Sequence, residues 1–381
     1  MSKMSDAASD FVIEPDYAGA RVRFLSVCDS ARLSVESYLH PLKAPDGTAL
    51  ATDVVRIGPT SASRLLVLTS GAHGPELMVG SACQSAWLKE GDLAKLPPDT
   101  AVLLVHAINP WGTAHQRRNT EDNVDYCRNW IDHQALLPVN AAYESLHEAA
   151  TCDPSRPESV AQADAVLARY RERHGGAALY GALMAGQFQH ANGLGYGGRA
   201  PTWSRRTMES ILAKHAAKSQ RVCLVDYHTG VGPYGYGSIV ALQVGDPLAR
   251  VRAAFGGWVI APNEAGRPAD FVPVTGHTTP GYESALKGSE VMAVVLEFGT
   301  YAADLMLTRL LADHRLTFAP RADASALRTA RAEVQRFFQP TDSYWRETVL
   351  YRSGQVISQA LNYLRTPDSR VAASDAALHS E

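Results

Sequence analysis

Four short apolar runs govern what this 381-residue chain can fold into. They are Leu65–Thr69 (LLVLT), Ala101–His106 (AVLLVH), Val222–Tyr227 (VCLVDY) and Val291–Leu296 (VMAVVL). None alternates apolar with polar residues, as a strand with one wet face would. Continuous Val/Leu runs of this length suit strands covered on both faces, as in a mostly parallel sheet. Helical stretches lie between them. Pro75 opens one that carries Leu77, Ala82, Ala86 and Leu88, and Ser204–Lys218 is another. The segments Ala324–Phe338 and Tyr344–Leu364 are expected to close the fold as two amphipathic helices, over about 324–365. Strands alternating with helices predict an α/β fold: a mixed, mostly parallel central sheet flanked by helices.

No linker-like stretch divides the chain, so residues 1–381 are expected to form a single domain. The segment at about 131–200 reads as an insertion covering one end of the sheet. It holds a charged helical stretch, Ala161–Arg173, and then the glycine-rich Gly193–Gly198. Lys and Arg total 36 against 39 Asp and Glu, a net charge of −3, which provides no electrostatic basis for a nucleic-acid partner. No apolar run approaches the roughly 18 residues needed to span a bilayer, so no membrane partner is expected. The opening MSKMSDAASD lacks the apolar core of a secretory signal, and the expected location is cytoplasmic. Five scattered Cys form neither a disulfide framework nor a paired CxxC metal site. Oligomeric state is left open.

Each apolar run is followed at once by residues able to do chemistry. After the first comes SGAHGPE, with His73 and Glu76; after the second, INPWGTAHQRRNTEDNVDYCRNW. The third runs into His228 (DYHTG) and the fourth into Glu297 (LEFGT). In open α/β sheets ligands bind at the carboxyl ends of the strands, so the four clusters are expected to meet in one crevice. His73 beside Glu76 would alone fit a surface His next to a helix N-terminal Glu. With His228 added, the set becomes His/Glu/His, the ligands of a catalytic zinc with an open fourth position. Glu297 ends a very hydrophobic strand and needs a partner there. It suits either an ion pair with an arginine or a general base acting on zinc-bound water. Arg117, Arg118 and Arg128, interleaved with Asn119, Asn123 and Asn129, suit carboxylate binding and oxyanion stabilisation. A solvated loop pairing with Glu121 and Asp122 is the plainer reading.

Taken together, these segments resemble the zinc carboxypeptidases of the M14 type, and more closely their bacterial branch, the DUF2817 family. SGAHGPE, NPWG with RRNTEDNVDYCRNW, DYHTGVGPYG, LEFGT and GYGGRAPTWS carry the likeness in order and spacing. The resemblance implies a carboxypeptidase-like fold and one zinc per chain, held by His73, Glu76 and His228. It implies that Asp125 orients a ligand histidine and that Arg128, with Asn129 beside it, binds the substrate's carboxylate. Arg117 would polarise the scissile carbonyl, with Arg118 as the alternative match, and Glu297 would act as base and then acid. Tyr282 is a candidate for the mobile tyrosine of that superfamily, or an ordinary loop aromatic. Cys127 stands where the pattern has Asn, and a thiol is a poorer donor to carboxylate than an amide.

The reaction so implied is hydrolysis of an amide bond next to a carboxylate-bearing residue, in a small molecule or short peptide. Two enzyme readings are open: a peptidase trimming C-terminal residues, or an amidohydrolase removing acyl groups from small N-acyl amino acids. A non-catalytic zinc- or ligand-binding protein is the third reading, and Glu297 speaks against it. Gly230, Gly232 and Gly235 spell GxGxxG after a strand, but the next segment, YGSIVALQV, reads as another strand and not the helix a dinucleotide site needs.

Overall fold

A computed structural model describes residues 11–366, except 91, 92, 94 and 95. Seven strands build one sheet: β1 (Val35–Lys43), β2 (Ala49–Ile57), β3 (Arg64–Ser70), β4 (Thr100–His106), β5 (Arg221–Gly230), β6 (Gly237–Val240) and β7 (Glu290–Gly299). Their spatial order is β1-β2-β4-β3-β5-β7-β6. The four apolar runs are β3, β4, β5 and β7, and these pair in parallel. The remaining strands, β1, β2 and β6, pair antiparallel at the two edges. The chain is therefore a mixed α/β protein, as the runs predict. The GxGxxG stretch does lead into strand β6.

Both faces of the parallel strands are covered, which is why their sequences do not alternate in polarity. Leu66, Leu68, Cys223 and Val225 point into one core, against Val79 and Ala82 of the Leu77–Glu90 helix and Val349 and Ile357 of the Ser343–Arg365 helix. Leu65, Val67, Val222 and Leu224 point the other way, onto Ile211 and Leu212 of the Trp203–His215 helix. Each such fully buried Leu or Val contributes roughly 1.5–3 kcal/mol by leaving water. The closing helices begin where the sequence caps them: Asp323 accepts from the Ala326 N–H, and Asp342 from the Trp345 N–H.

The N-terminal part departs from expectation. A Tyr17–Ser30 helix, β1 and β2 extend the sheet beyond β4, and no apolar run marks them. Strand β1 is only partly buried, and β2 carries Thr52 and Asp53 at buried positions. Asp53 is held there by Arg21, 2.7 Å away, and by the Ser37 hydroxyl at 2.5 Å. Residues 141–184 form the short helices Ala141–Glu144 and His147–Ala150 and the helices Pro157–His174 and Gly176–Met184. Leu146, Leu167 and Leu183 from this segment pack with Leu310, Phe337 and Phe338 of two later helices, in a core apart from the sheet.

Strand β3 lies between β4 and β5, so the connections after β3 and after β4 leave in opposite directions across it. That reversal opens a crevice at the carboxyl ends of β3 and β5.

Candidate metal centre

Strand β3 ends at Ser70, and the chain turns sharply before reaching His73 and Glu76. Gly71 takes a positive φ of 78°. Gly74 backs so closely onto the chain after β4 that a Cβ would come within 2.2 Å of the Arg117 carbonyl oxygen. A short 3-10 turn, Gly74–Glu76, then presents the Glu76 carboxylate to the crevice. Strand β5 continues past its apolar run to Gly230, which puts His228 inside the strand, in parallel register with Glu297 of β7.

Glu76 is the hub. Its Oε2 lies 3.0 Å from His228 Nδ1 and accepts the Thr229 N–H at 3.1 Å. Its Oε1 accepts from Arg118 at 3.0 Å. His73 Nδ1 stands 2.9 Å from the same Oε1, yet without hydrogen-bond geometry. The pair is close enough for both atoms to reach one ion between them. The far nitrogens are held from behind. His73 Nε2 meets Asp125 Oδ1 at 3.0 Å, and His228 Nε2 lies 3.1 Å from Asp226 Oδ2. A carboxylate behind each imidazole leaves Nδ1 of both rings facing Glu76, the arrangement in which metal-binding histidines are oriented. Two imidazoles and a carboxylate suit zinc, and the residues present fit it.

The charges in this cluster support one another. Burial and the Arg118 guanidinium oppose protonation of His73, but Cys127, Glu76 and Asp125 together raise it to about 10. Burial raises the Glu76 carboxyl, and the two imidazoles outweigh it, holding Glu76 well below the ordinary range. Glu297 behaves oppositely. Desolvation in the cleft, and next the negative Glu76, push it up to about 7. Its Oε1 accepts the Val231 N–H at 3.1 Å.

These groups line one end of a single cleft. Arg118, Cys127 and Arg128 share that end, while Val240, Phe271, Val295 and Phe338 make the rest largely apolar. Three residues singled out in the sequence stand elsewhere. Arg117 turns away to Asn123 (3.2 Å) and to Asp313 (3.9 Å) of the Ala303–Phe318 helix, and Arg118 takes the place beside the histidines. Asn129 is spent on backbone, accepting from Thr202 N–H and donating to the Gly197 and Ala200 carbonyls. Tyr282 is buried in the sheet-face core, 3.0 Å from the Tyr126 hydroxyl and edge-on to Trp130. The tyrosine that does line the cleft is Tyr180, from the Gly176–Met184 helix. Nothing in GAALYGALM marks it, because only packing of that helix brings it to the crevice. Arg128 lines the cleft too, with its guanidinium also donating to the Met184 carbonyl at 3.0 and 2.5 Å.

Among solved structures, the chain is similar to carboxypeptidase A from Helicoverpa armigera, at 10% identity and a TM-score of 0.47, covering 93% of this chain and 74% of that one. It is also similar to the succinylglutamate desuccinylase from Chromobacterium violaceum, at 13% identity and a TM-score of 0.35, covering 87% and 76%. A metallo-carboxypeptidase from Pseudomonas aeruginosa matches at 13% identity and a TM-score of 0.41, covering 89% and 69%. No curated protein matches the sequence. The family model described as "Protein of unknown function (DUF2817)" spans residues 14–352, from the first helix through the sheet and the crevice to the closing helix, so the chain belongs to the DUF2817 family.

Proposed function

We propose that this protein is a zinc-dependent hydrolase that cleaves an amide bond next to a carboxylate-bearing residue. The observation that carries this reading is the meeting of His73 Nδ1, His228 Nδ1 and the Glu76 carboxylate, braced by Asp125 and Asp226, in a cleft that also holds Glu297. His73, Glu76 and His228 would hold the ion. A bound zinc supplies Lewis-acid charge and brings the pKa of a water from 15.7 to about 7. Glu297, with its own pKa raised to about 7, takes the proton from the attacking water and returns it to the leaving amine. Arg118 is the cation beside the ligands and stabilises the oxyanion. Arg128 receives the substrate carboxylate. Glu297 has no role in a purely binding protein, which favours catalysis.

Between the two enzyme readings, deacylation of small N-acyl amino acids has a specific observation in its favour. Tyr180 and Met184, from the segment between β4 and β5, wall the cleft, and Met184 shares the Arg128 guanidinium. A cleft walled on that side suits a short substrate. The test is turnover by the zinc-loaded protein on a panel of N-acyl amino acids and of peptides with free C-termini. Hydrolysis of acyl amino acids alone removes the peptidase reading, cleavage of longer peptides removes the deacylase, and no hydrolysis of either removes the proposal.

The two adjacent arginines separate cleanly in this scheme. Arg118→Ala is expected to lower kcat by roughly 10²–10³-fold, the cost of losing an oxyanion donor. Arg117→Ala is expected to cost roughly 1.5–3 kcal/mol of stability, through its lost hydrogen bond to Asn123 and ion pair with Asp313, and to leave kcat nearly unchanged. Steady-state kinetics and chemical denaturation of both variants measure this, and a larger kcat loss in Arg117→Ala would reverse the assignment.

A further inference from the structure

The cleft holds one potential ligand that the proposed mechanism leaves without a role. Cys127 is buried at the wall of the crevice, in the 3-10 turn Tyr126–Arg128. One ligand atom each from His73, Cys127 and His228 lies within 4.8 Å of the other two. Donors bound to one tetrahedral zinc at 2.0–2.3 Å stand roughly 3.3–3.8 Å apart, so closure needs a shift of at most about 1.5 Å. The two imidazoles are 3% and 5% exposed, so both stand in the same buried cluster as the thiol. A second link is mechanical. The Oδ1 of Asp125 that meets His73 Nε2 also accepts the Cys127 N–H at 3.0 Å, so one carboxylate positions both residues.

Cys28, Cys83 and Cys223 offer a contrast. They sit in the sheet core among aliphatic and aromatic side chains, away from the cleft. Only Cys127, among the described cysteines, reaches imidazole nitrogens and a carboxylate cluster. Sulfur is a soft donor that zinc accepts readily alongside imidazole.

We infer that the Cys127 sulfur is a fourth protein ligand of the metal, completing a His/Glu/His/Cys set in the absence of substrate. As the sulfur–metal bond forms, the thiol proton leaves to solvent, and no electron is transferred. Four protein ligands would fill a tetrahedral zinc, and the cleft-facing sulfur is the one that would have to make room for water or substrate. This rests on the metal site proposed above.

X-ray absorption at the zinc edge of the zinc-loaded, substrate-free full chain tests it. The expected result is a sulfur shell at about 2.3 Å beside nitrogen and oxygen at about 2.0–2.2 Å, with the sulfur shell lost in Cys127→Ala. One zinc bound with nitrogen and oxygen alone overturns this inference and leaves the proposed site intact. A sulfur shell that persists in Cys127→Ala overturns it too. A wild-type chain that binds no zinc sinks the proposed site itself. The wild-type spectrum decides without the variant, should Cys127→Ala fail to fold.

Discussion

Glu297→Gln is expected to lower kcat by roughly 10²–10⁴-fold while the protein binds zinc as tightly as before. The side chain keeps its shape and its contact with the Val231 N–H, and loses only the ability to accept a proton. Glu297 makes no hydrogen bond to His73, Glu76 or His228, and Gln in its place keeps the ligands' own contacts. The wild-type pH profile carries the same information. A base must be ionised to work, and desolvation and the neighbouring Glu76 have pushed the Glu297 carboxyl up to about 7. Activity therefore rises as pH passes upward through about 7, and the acid limb vanishes in Glu297→Gln along with the rate. Steady-state kinetics from pH 5 to 9 with a zinc assay on both proteins measures this; full activity in the variant would remove Glu297 from the reaction.

Zinc added to the wild-type apo-protein is expected to raise its melting temperature, and Glu76→Gln is expected to abolish that rise. A ligand that binds only the folded state stabilises it by about 4 kcal/mol at a thousandfold excess over Kd. Glu76 is where the effect is largest, because it alone touches both imidazoles, Arg118 and the Thr229 N–H. Removing its charge leaves His73, His228 and Arg118 without the anion that draws them together, and takes the carboxylate out of the ligand set. Thermal unfolding with and without zinc reads out both proteins. An equal zinc-dependent rise in Glu76→Gln would show that the ion, if bound, is held elsewhere.

Much of this architecture can be read without coordinates, for a specific reason. A strand buried on both faces must be apolar throughout, so β3, β4, β5 and β7 stand out from any other segment, and with them the α/β class. Polar residues directly after such a strand lie at its carboxyl end, and parallel pairing puts all those ends on one side. His73, Glu76, His228 and Glu297 could therefore be assigned to one crevice from order alone. The closing helix at Ala324–Phe338 is equally plain, with its amphipathic repeat and its Asp323 cap. Strands β1 and β2 are not legible, because an edge strand is partly wet and Asp53 in β2 is paid for by Arg21, a partner 32 residues away.

Local order decided which chemistries meet, because strand ends are set by where apolar runs stop. Three-dimensional packing decided which of two neighbouring side chains turns inward, because that depends on what lies across the gap. Arg117 and Arg118 are adjacent and chemically identical; one meets Asp313 and the other Glu76 only after a distant helix and the β3 turn have come together. Tyr180 over Tyr282, and Cys127 beside two imidazoles, are outcomes of the same kind. Residue type and spacing constrain the backbone, and only assembled neighbours choose the direction of each side chain.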